Sequence, residues 1–210
     1  MKPELKDREV RTFTLDEKSF EARADGTRRI VGHAAVFGQW SEDLGGFREQ
    51  IAAGAFADAI NADDVRALFN HDTNQVLGRN RSKTLTLLED QRGLLSEIIL
   101  PDTQLARDLE VLMKRGDINQ MSFAFSIDKE GKEWKKVGDS PWERTITKVS
   151  RLYDLSVVTF PAYPQTDAAV RAMQAVKEAA EQSARGGLTT KTAGVVLAQA
   201  TRLRLIQAGL

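Results

Sequence analysis

The chain contains no cysteine and only two histidines, His33 and His71, among its 210 residues. Without thiols there can be no disulfide, thiolate-held metal, iron–sulfur cluster or cysteine nucleophile. Imidazole chemistry, if present, has two places to live, and neither histidine has a partner at metal-ligand spacing, so no metal and no cofactor is expected. Charge of one sign is also lacking: 30 Lys and Arg balance 30 Asp and Glu. No overall basic field therefore exists to hold nucleic acid. No apolar run approaches the length of about 18 residues that marks a membrane span. The first residues, Met1-Lys2-Pro3-Glu4-Leu5-Lys6-Asp7, are charged and lack the apolar core of a secretion signal. A soluble, cytoplasmic protein is the expectation. The glycine loops that cradle phosphates, the GxGxxG turn, HExxH and the GxSxG elbow are all missing.

What is present suits one folded domain with a helical appendage, with 41% apolar and 29% charged residues. Short strand-like runs at 19–23 and 28–37 flank Asp25-Gly26, a dipeptide suited to the positive φ angles of a tight hairpin turn. Residues 65–70 form a short apolar run. A second hairpin is expected from 84–88 and 93–100. Thr103 then offers an N-cap, Leu105, Leu109, Leu112 and Met113 fall at helical spacing, and Gly116 closes that helix. A shorter helix is expected over 54–61.

Two further strands matter most. Over 120–127, Met121, Phe123, Phe125 and Ile127 alternate with Gln120, Ser122, Ala124 and Ser126. Residues 152–160 are apolar on both faces except for Asp154, as in a central strand covered on both sides. The charged stretch 128–140 between them reads as an exposed hairpin or mobile loop. After Pro164 the composition turns Ala-rich and helical over 166–182. A linker of small and polar residues follows near 183–191, then an amphipathic segment at 192–206. The domain reading is an N-terminal arm at 1–18, a main domain at 19–171 and a helical tail at 172–210.

Three residues stand out, each with two readings open. His71 ends an apolar run where a polar loop, 72–75, begins; it is either a catalytic base held at a strand end or a surface histidine satisfied by solvent or Asp72. Ser122 lies on the small, polar face of its strand, with room for a substrate backbone, or else simply faces solvent. Asp154 is a carboxylate in an apolar strand, which costs several kcal/mol unless it is paired. An imidazolium would offset that cost, and so would Arg151 or Lys148.

Set in order, further strings carry a resemblance. They are Gly32-His33-Ala34-Ala35-Val36-Phe37, Glu49-Gln50-Ile51-Ala52-Ala53-Gly54-Ala55-Phe56, Asn70-His71-Asp72 and Leu77-Gly78-Arg79. Gly93-Leu94, Leu100-Pro101 and Met121-Ser122-Phe123-Ala124-Phe125 follow, and the series closes on Asp154-Leu155-Ser156-Val157-Val158-Thr159-Phe160-Pro161-Ala162-Tyr163. From about residue 19 to 171 the chain resembles the tailed-phage prohead, or capsid maturation, proteases.

The resemblance implies an α+β, mainly β fold similar to the herpesvirus maturation proteases: a small closed or nearly closed β-barrel surrounded by helices, here with a C-terminal helical tail. It implies a serine endopeptidase with Ser122 as nucleophile, His71 as general base and Asp154 as the third member. The herpesvirus enzymes use a second histidine there, so His33 is the competing candidate. It stands, however, in a Gly-x-Ala-Ala-Val-Phe strand where the family often carries an aromatic. Arg79 and the 161–166 turn are candidate oxyanion donors. The implied partners are the major capsid protein with its scaffold segment and the enzyme itself, with self-association open and no nucleic acid or membrane. The implied place is the host cytoplasm, inside the immature capsid. The alternative is a capsid assembly or scaffolding protein that kept the fold and lost the activity. The tail is expected to be released by the enzyme's own cleavage within the linker.

Overall fold

Turn chemistry and apolar alternation shape most of the computed structural model, which describes residues 8–15, 19–22, 26–138, 142–160 and 173–183. The chain divides into two units, Met1–Ala169 and Val170–Leu210. In the first unit the strands are β1 (Glu9–Thr14), β2 (Phe20–Ala22), β3 (Arg28–Val36), β4 (Phe47–Ile51), β5 (Arg66–Phe69) and β6 (Asp72–Arg79). They continue with β7 (Leu85–Glu89), β8 (Gly93–Ile99), β9 (Gln120–Ser126), β10 (Lys132–Lys135), β11 (Trp142–Ile146) and β12 (Arg151–Val158). Two helices, α1 (Ala57–Ala62) and α2 (Gln104–Arg115), accompany them.

The strands hydrogen-bond as three sheets, in the orders β1-β9-β12-β5-β6, β2-β3-β8-β7 and β10-β11-β4. The architecture is mostly β with few helices. The closed barrel expected from the resemblance is not formed by the described strands, because no ladder joins the three sheets into one ring. In the second unit, residues 173–183 are helical. The expected linker beyond residue 183, the 192–206 segment and the 161–166 turn lie outside the described residues.

Both expected hairpins form: β2 pairs antiparallel with β3, and β7 with β8. Gly93 opens β8 where a Cβ would collide with the Ala35 carbonyl, so only glycine allows β3 and β8 to approach this closely. Thr103 caps α2 by accepting a hydrogen bond from Ala106 N–H at 3.4 Å, and Gly116 ends it with φ of 81°. On that helix Ala106 and Leu109 are buried, and Leu105, Leu112 and Met113 pack against the core. Helix α1 begins three residues later than expected because Gly54, at φ of 84°, makes the preceding turn.

Strands β1, β4 and β11 have no counterpart among the strand readings, and all three carry charges on buried positions. Arg144 is 0% exposed, and it joins Glu9, Arg11 and Glu49 in a buried quartet of zero net charge. Arg144 Nη2 donates to Glu9 at 2.6 Å and its Nε to Glu49 at 2.5 Å. Arg11 Nε donates to Glu49 at 2.6 Å and its Nη2 to Glu9 at 2.7 Å. The Arg144 guanidinium also lies 5.2 Å from the Phe47 ring centroid and 5.5 Å from that of Trp134. Burial alone would raise the Glu9 carboxyl pKa, but the hydrogen bonds and charges of Arg144 and Arg11 outweigh it and hold the group below its ordinary value. The stretch 128–140, read as an exposed hairpin or loop, contains β10, which pairs antiparallel with β11, while β11 runs parallel to β4.

Candidate active site

The site is assembled on three adjacent members of the five-stranded sheet. Strand β9 carries Ser122, its neighbour β12 carries Asp154, and the turn joining β5 to β6 carries His71. In β9 both faces are buried. Phe123 packs on Phe13, Phe56 and Phe125 with ring centroids 5.8, 5.4 and 4.8 Å apart. Ser122 on the opposite face is also 0% exposed, so the reading of a solvated serine does not hold. The strands on either side, β1 and β12, cover its edges: Ser122 is the register partner of Thr12 on one side and Ser156 on the other.

The β5–β6 hairpin turns on two residues, Asn70 and His71, with φ of 52° and 57°. Positive φ at both central positions is the requirement of the tightest hairpin loops, and Asn is among the residues that tolerate it. The Asn70 side chain clamps this turn to the end of β12: its Oδ1 accepts from Thr159 N–H at 2.9 Å and its Nδ2 donates to Thr159 Oγ1 at 3.1 Å. Asn70 N–H donates to the Val157 carbonyl at 2.9 Å. The stretch 72–75, read as a polar loop, instead opens strand β6. Asp72 is not the partner of His71; it accepts from Asn74 N–H at 2.8 Å and from Asn74 Nδ2 at 3.0 Å.

His71 is bonded at both ring nitrogens. Its Nε2 lies 2.9 Å from Ser122 Oγ and its Nδ1 lies 2.6 Å from Asp154 Oδ1. A carboxylate only accepts, so Nδ1 carries the hydrogen and Nε2 presents its lone pair to the serine hydroxyl. The imidazole is about one-fifth exposed, whereas Asp154 is 4% exposed. Neither alternative partner of Asp154 reaches it: Arg151 pairs with Asp63 and Lys148 with Asp58.

Two further residues complete the shell of Asp154, and neither was singled out in the sequence. Ser156 Oγ donates to Asp154 Oδ1 at 2.8 Å, accepts from His71 N–H at 3.2 Å and lies 3.2 Å from His71 Nδ1. Arg8 Nη2 donates to Asp154 Oδ2 at 2.5 Å. Spacing could have found Ser156, since a residue two beyond Asp154 on a strand shares its face. No local signal marks Arg8, which lies 146 residues away.

The other candidates are engaged elsewhere. His33 Nε2 lies 2.8 Å from Asp90 Oδ2, and this hydrogen bond, together with backbone donors from Gly93 and Arg92, holds the Asp90 carboxyl below its usual range. Arg79 donates to Asp64 from Nε at 2.7 Å and from Nη2 at 2.5 Å, and this pairing lowers the Asp64 pKa to about 2. Among the described residues, no group of three or more acidic or histidine side chains is placed to hold a metal ion.

Comparison with known proteins matches residues 13–180 to the family described as caudovirus prohead serine protease. The prohead protease of Enterobacteria phage HK97 is 31% identical over 171 residues, a span covering 80% of this chain and 70% of that protein. Among solved structures, the bacteriophage T4 capsid assembly protease aligns with a TM-score of 0.47 at 7% identity, covering 71% of this chain and 97% of that one.

Proposed function

Because this chain belongs to the caudovirus prohead serine protease family, we propose that it is an active serine endopeptidase in which Ser122, His71 and Asp154 form the catalytic unit. The observation that carries this reading is the doubly bonded imidazole, with Ser122 Oγ on Nε2 and Asp154 on Nδ1. As Ser122 Oγ attacks the scissile carbonyl, His71 Nε2 takes its proton and then delivers it to the leaving amine. Water repeats the cycle on the acyl-enzyme. Asp154 holds the tautomer with hydrogen on Nδ1 and stabilises the imidazolium that forms. His33 has no part in this reading, since its ring nitrogen is held by Asp90.

The family's name points to a capsid setting for this chain. Its proposed substrates are the scaffold segment of the major capsid protein and its own chain, cleaved inside the immature capsid in the host cell. The sheets are proposed to wrap into a nearly closed barrel, a reading supported by the parallel Phe37–Ile51 bridge between the sheet of β3 and the sheet of β4.

Co-expression with the major capsid protein from the same genome tests the proposal, with intact mass of both chains as the readout. Wild type should shorten the capsid protein, and Ser122→Ala should leave it whole, because losing a triad member costs on the order of 10⁴- to 10⁶-fold in rate. Processing that persists with Ser122→Ala would refute the assignment. Wild-type chains that never cleave would favour the non-catalytic assembly protein instead. The same spectra report self-release of the tail, as a product ending between residues 182 and 191 that Ser122→Ala lacks.

A further inference from the structure

Asp154 divides its two oxygens between different duties. Oδ1 receives His71 Nδ1 and Ser156 Oγ, while Oδ2 receives Arg8 Nη2. A nearly buried carboxylate is a costly arrangement without a positive charge fixed beside it. Arg8 supplies that charge permanently. Among the described residues its Nε makes no hydrogen bond and Asp154 is the acceptor that anchors the guanidinium, whose carbon lies 5.8 Å from the Tyr153 ring centroid.

Arg8 reaches this place because it immediately precedes β1. That strand pairs with β9 from Glu9–Phe125 to Thr14–Gln120, and so is hydrogen-bonded to the strand that carries Ser122. The quartet of Glu9, Arg11, Glu49 and Arg144 then fixes β1 against β4 and β11 through buried charge-assisted bonds. A shift of β1 would carry Arg8 away from Asp154.

We propose that Arg8 is a positioning residue for the Asp154–His71 pair, which makes the N-terminal strand a working part of the active site. Arg8 holds Oδ2 so that Oδ1 stays aimed at Nδ1, and the ring in turn keeps Nε2 on Ser122. The inference rests on the triad reading, and its test separates the two.

Diisopropyl fluorophosphate is a suitable probe because it needs no knowledge of the peptide substrate. Ser122 Oγ bonds to phosphorus, the P–F bond breaks, fluoride leaves and His71 takes the hydroxyl proton. Intact mass follows labelling of the full-length wild type, Ser122→Ala, Arg8→Met and Arg8→Lys, with thermal unfolding measured on each. Arg8→Met should lower the limiting labelling rate about 10- to 100-fold, the scale of a misplaced catalytic group. The half-saturating probe concentration should stay within about two-fold of wild type, since Arg8 acts on the catalytic pair and not on binding. Arg8→Lys should recover most of the rate, because it restores the charge though not the planar fork. Labelling of Arg8→Met at the wild-type rate would overturn the inference alone, provided Ser122→Ala stays unlabelled. A Lys variant no faster than Met would overturn it too, by reducing Arg8 to a structural strut. Labelling of Ser122→Ala would instead remove the triad reading itself.

Discussion

Ser122 and Ser156 are cross-strand partners in the β9–β12 pair, and their hydroxyls approach the same imidazole from opposite ends, Ser122 at Nε2 and Ser156 at Nδ1. The register of two strands therefore sets the distance between the base and its proton donor. Ser156 also accepts the His71 backbone N–H, so one hydroxyl holds the ring, the turn and the carboxylate.

Replacing Ser156 by Ala should slow Ser122 labelling by about 10- to 100-fold through a misaligned ring. It should also cost about 1–3 kcal/mol of stability, since a donor and an acceptor lose their partner in a buried place. Labelling rate and denaturant unfolding measure the two effects separately. A loss of stability with an unchanged labelling rate would make Ser156 purely structural.

Asp154→Asn and His33→Phe form an opposed pair. The amide can donate to Nδ1 and favour the wrong tautomer, so Asp154→Asn should fold and lose activity by on the order of 10⁴-fold. His33→Phe should keep wild-type activity and lose only the contact with Asp90. Cleavage of the co-expressed capsid protein, read by intact mass over time, ranks them. Inactivity of His33→Phe with a persistent Asp154→Asn would install His33 as third member.

Asn70 separates backbone strain from clamping. Asn70→Gly keeps the positive φ without strain but removes both side-chain bonds to Thr159, whereas Asn70→Ala removes them and adds a left-handed Ala, at about 1–2 kcal/mol. Both should label slowly, and Asn70→Ala should also unfold at lower denaturant. Equal stability of the two would show that the turn relaxes away from its left-handed geometry.

The buried quartet predicts a large single-site effect and an acid dependence. Arg144→Met leaves two buried carboxylates short of a partner and should cost about 3–5 kcal/mol in denaturant unfolding. Glu9 has a depressed pKa in the folded state, so the unfolded chain binds its proton first as pH falls. Its stabilisation is present above the ordinary value of 4.5 and is lost as pH drops through the lower folded value. Glu9→Gln should therefore flatten the slope of stability against pH below 4.5. A slope identical to wild type would remove Glu9 from that role.

Local signals in the sequence were enough for the elements whose physics is local. Gly26 at positive φ, the Thr103 cap, the Gly116 stop and the alternation through Phe123 and Phe125 act over a few residues, and the β2–β3 pair, α2 and β9 follow from them. The strings around His71, Ser122 and Asp154 were legible as a resemblance, but nothing local joined them. Tertiary structure decided what depends on partners far along the chain. Strands β1, β4 and β11 look too charged to be buried until Arg144 meets Glu9 across 135 residues and the charges cancel. Ser122 looks solvated until β1 and β12 close over its strand on both edges. Asp154 could have paired with Arg151 or Lys148, its near neighbours in sequence. Strand pairing turns it instead toward His71, Ser156 and Arg8, because desolvating a carboxylate is tolerable only where several donors converge, and only the folded sheet brings them together.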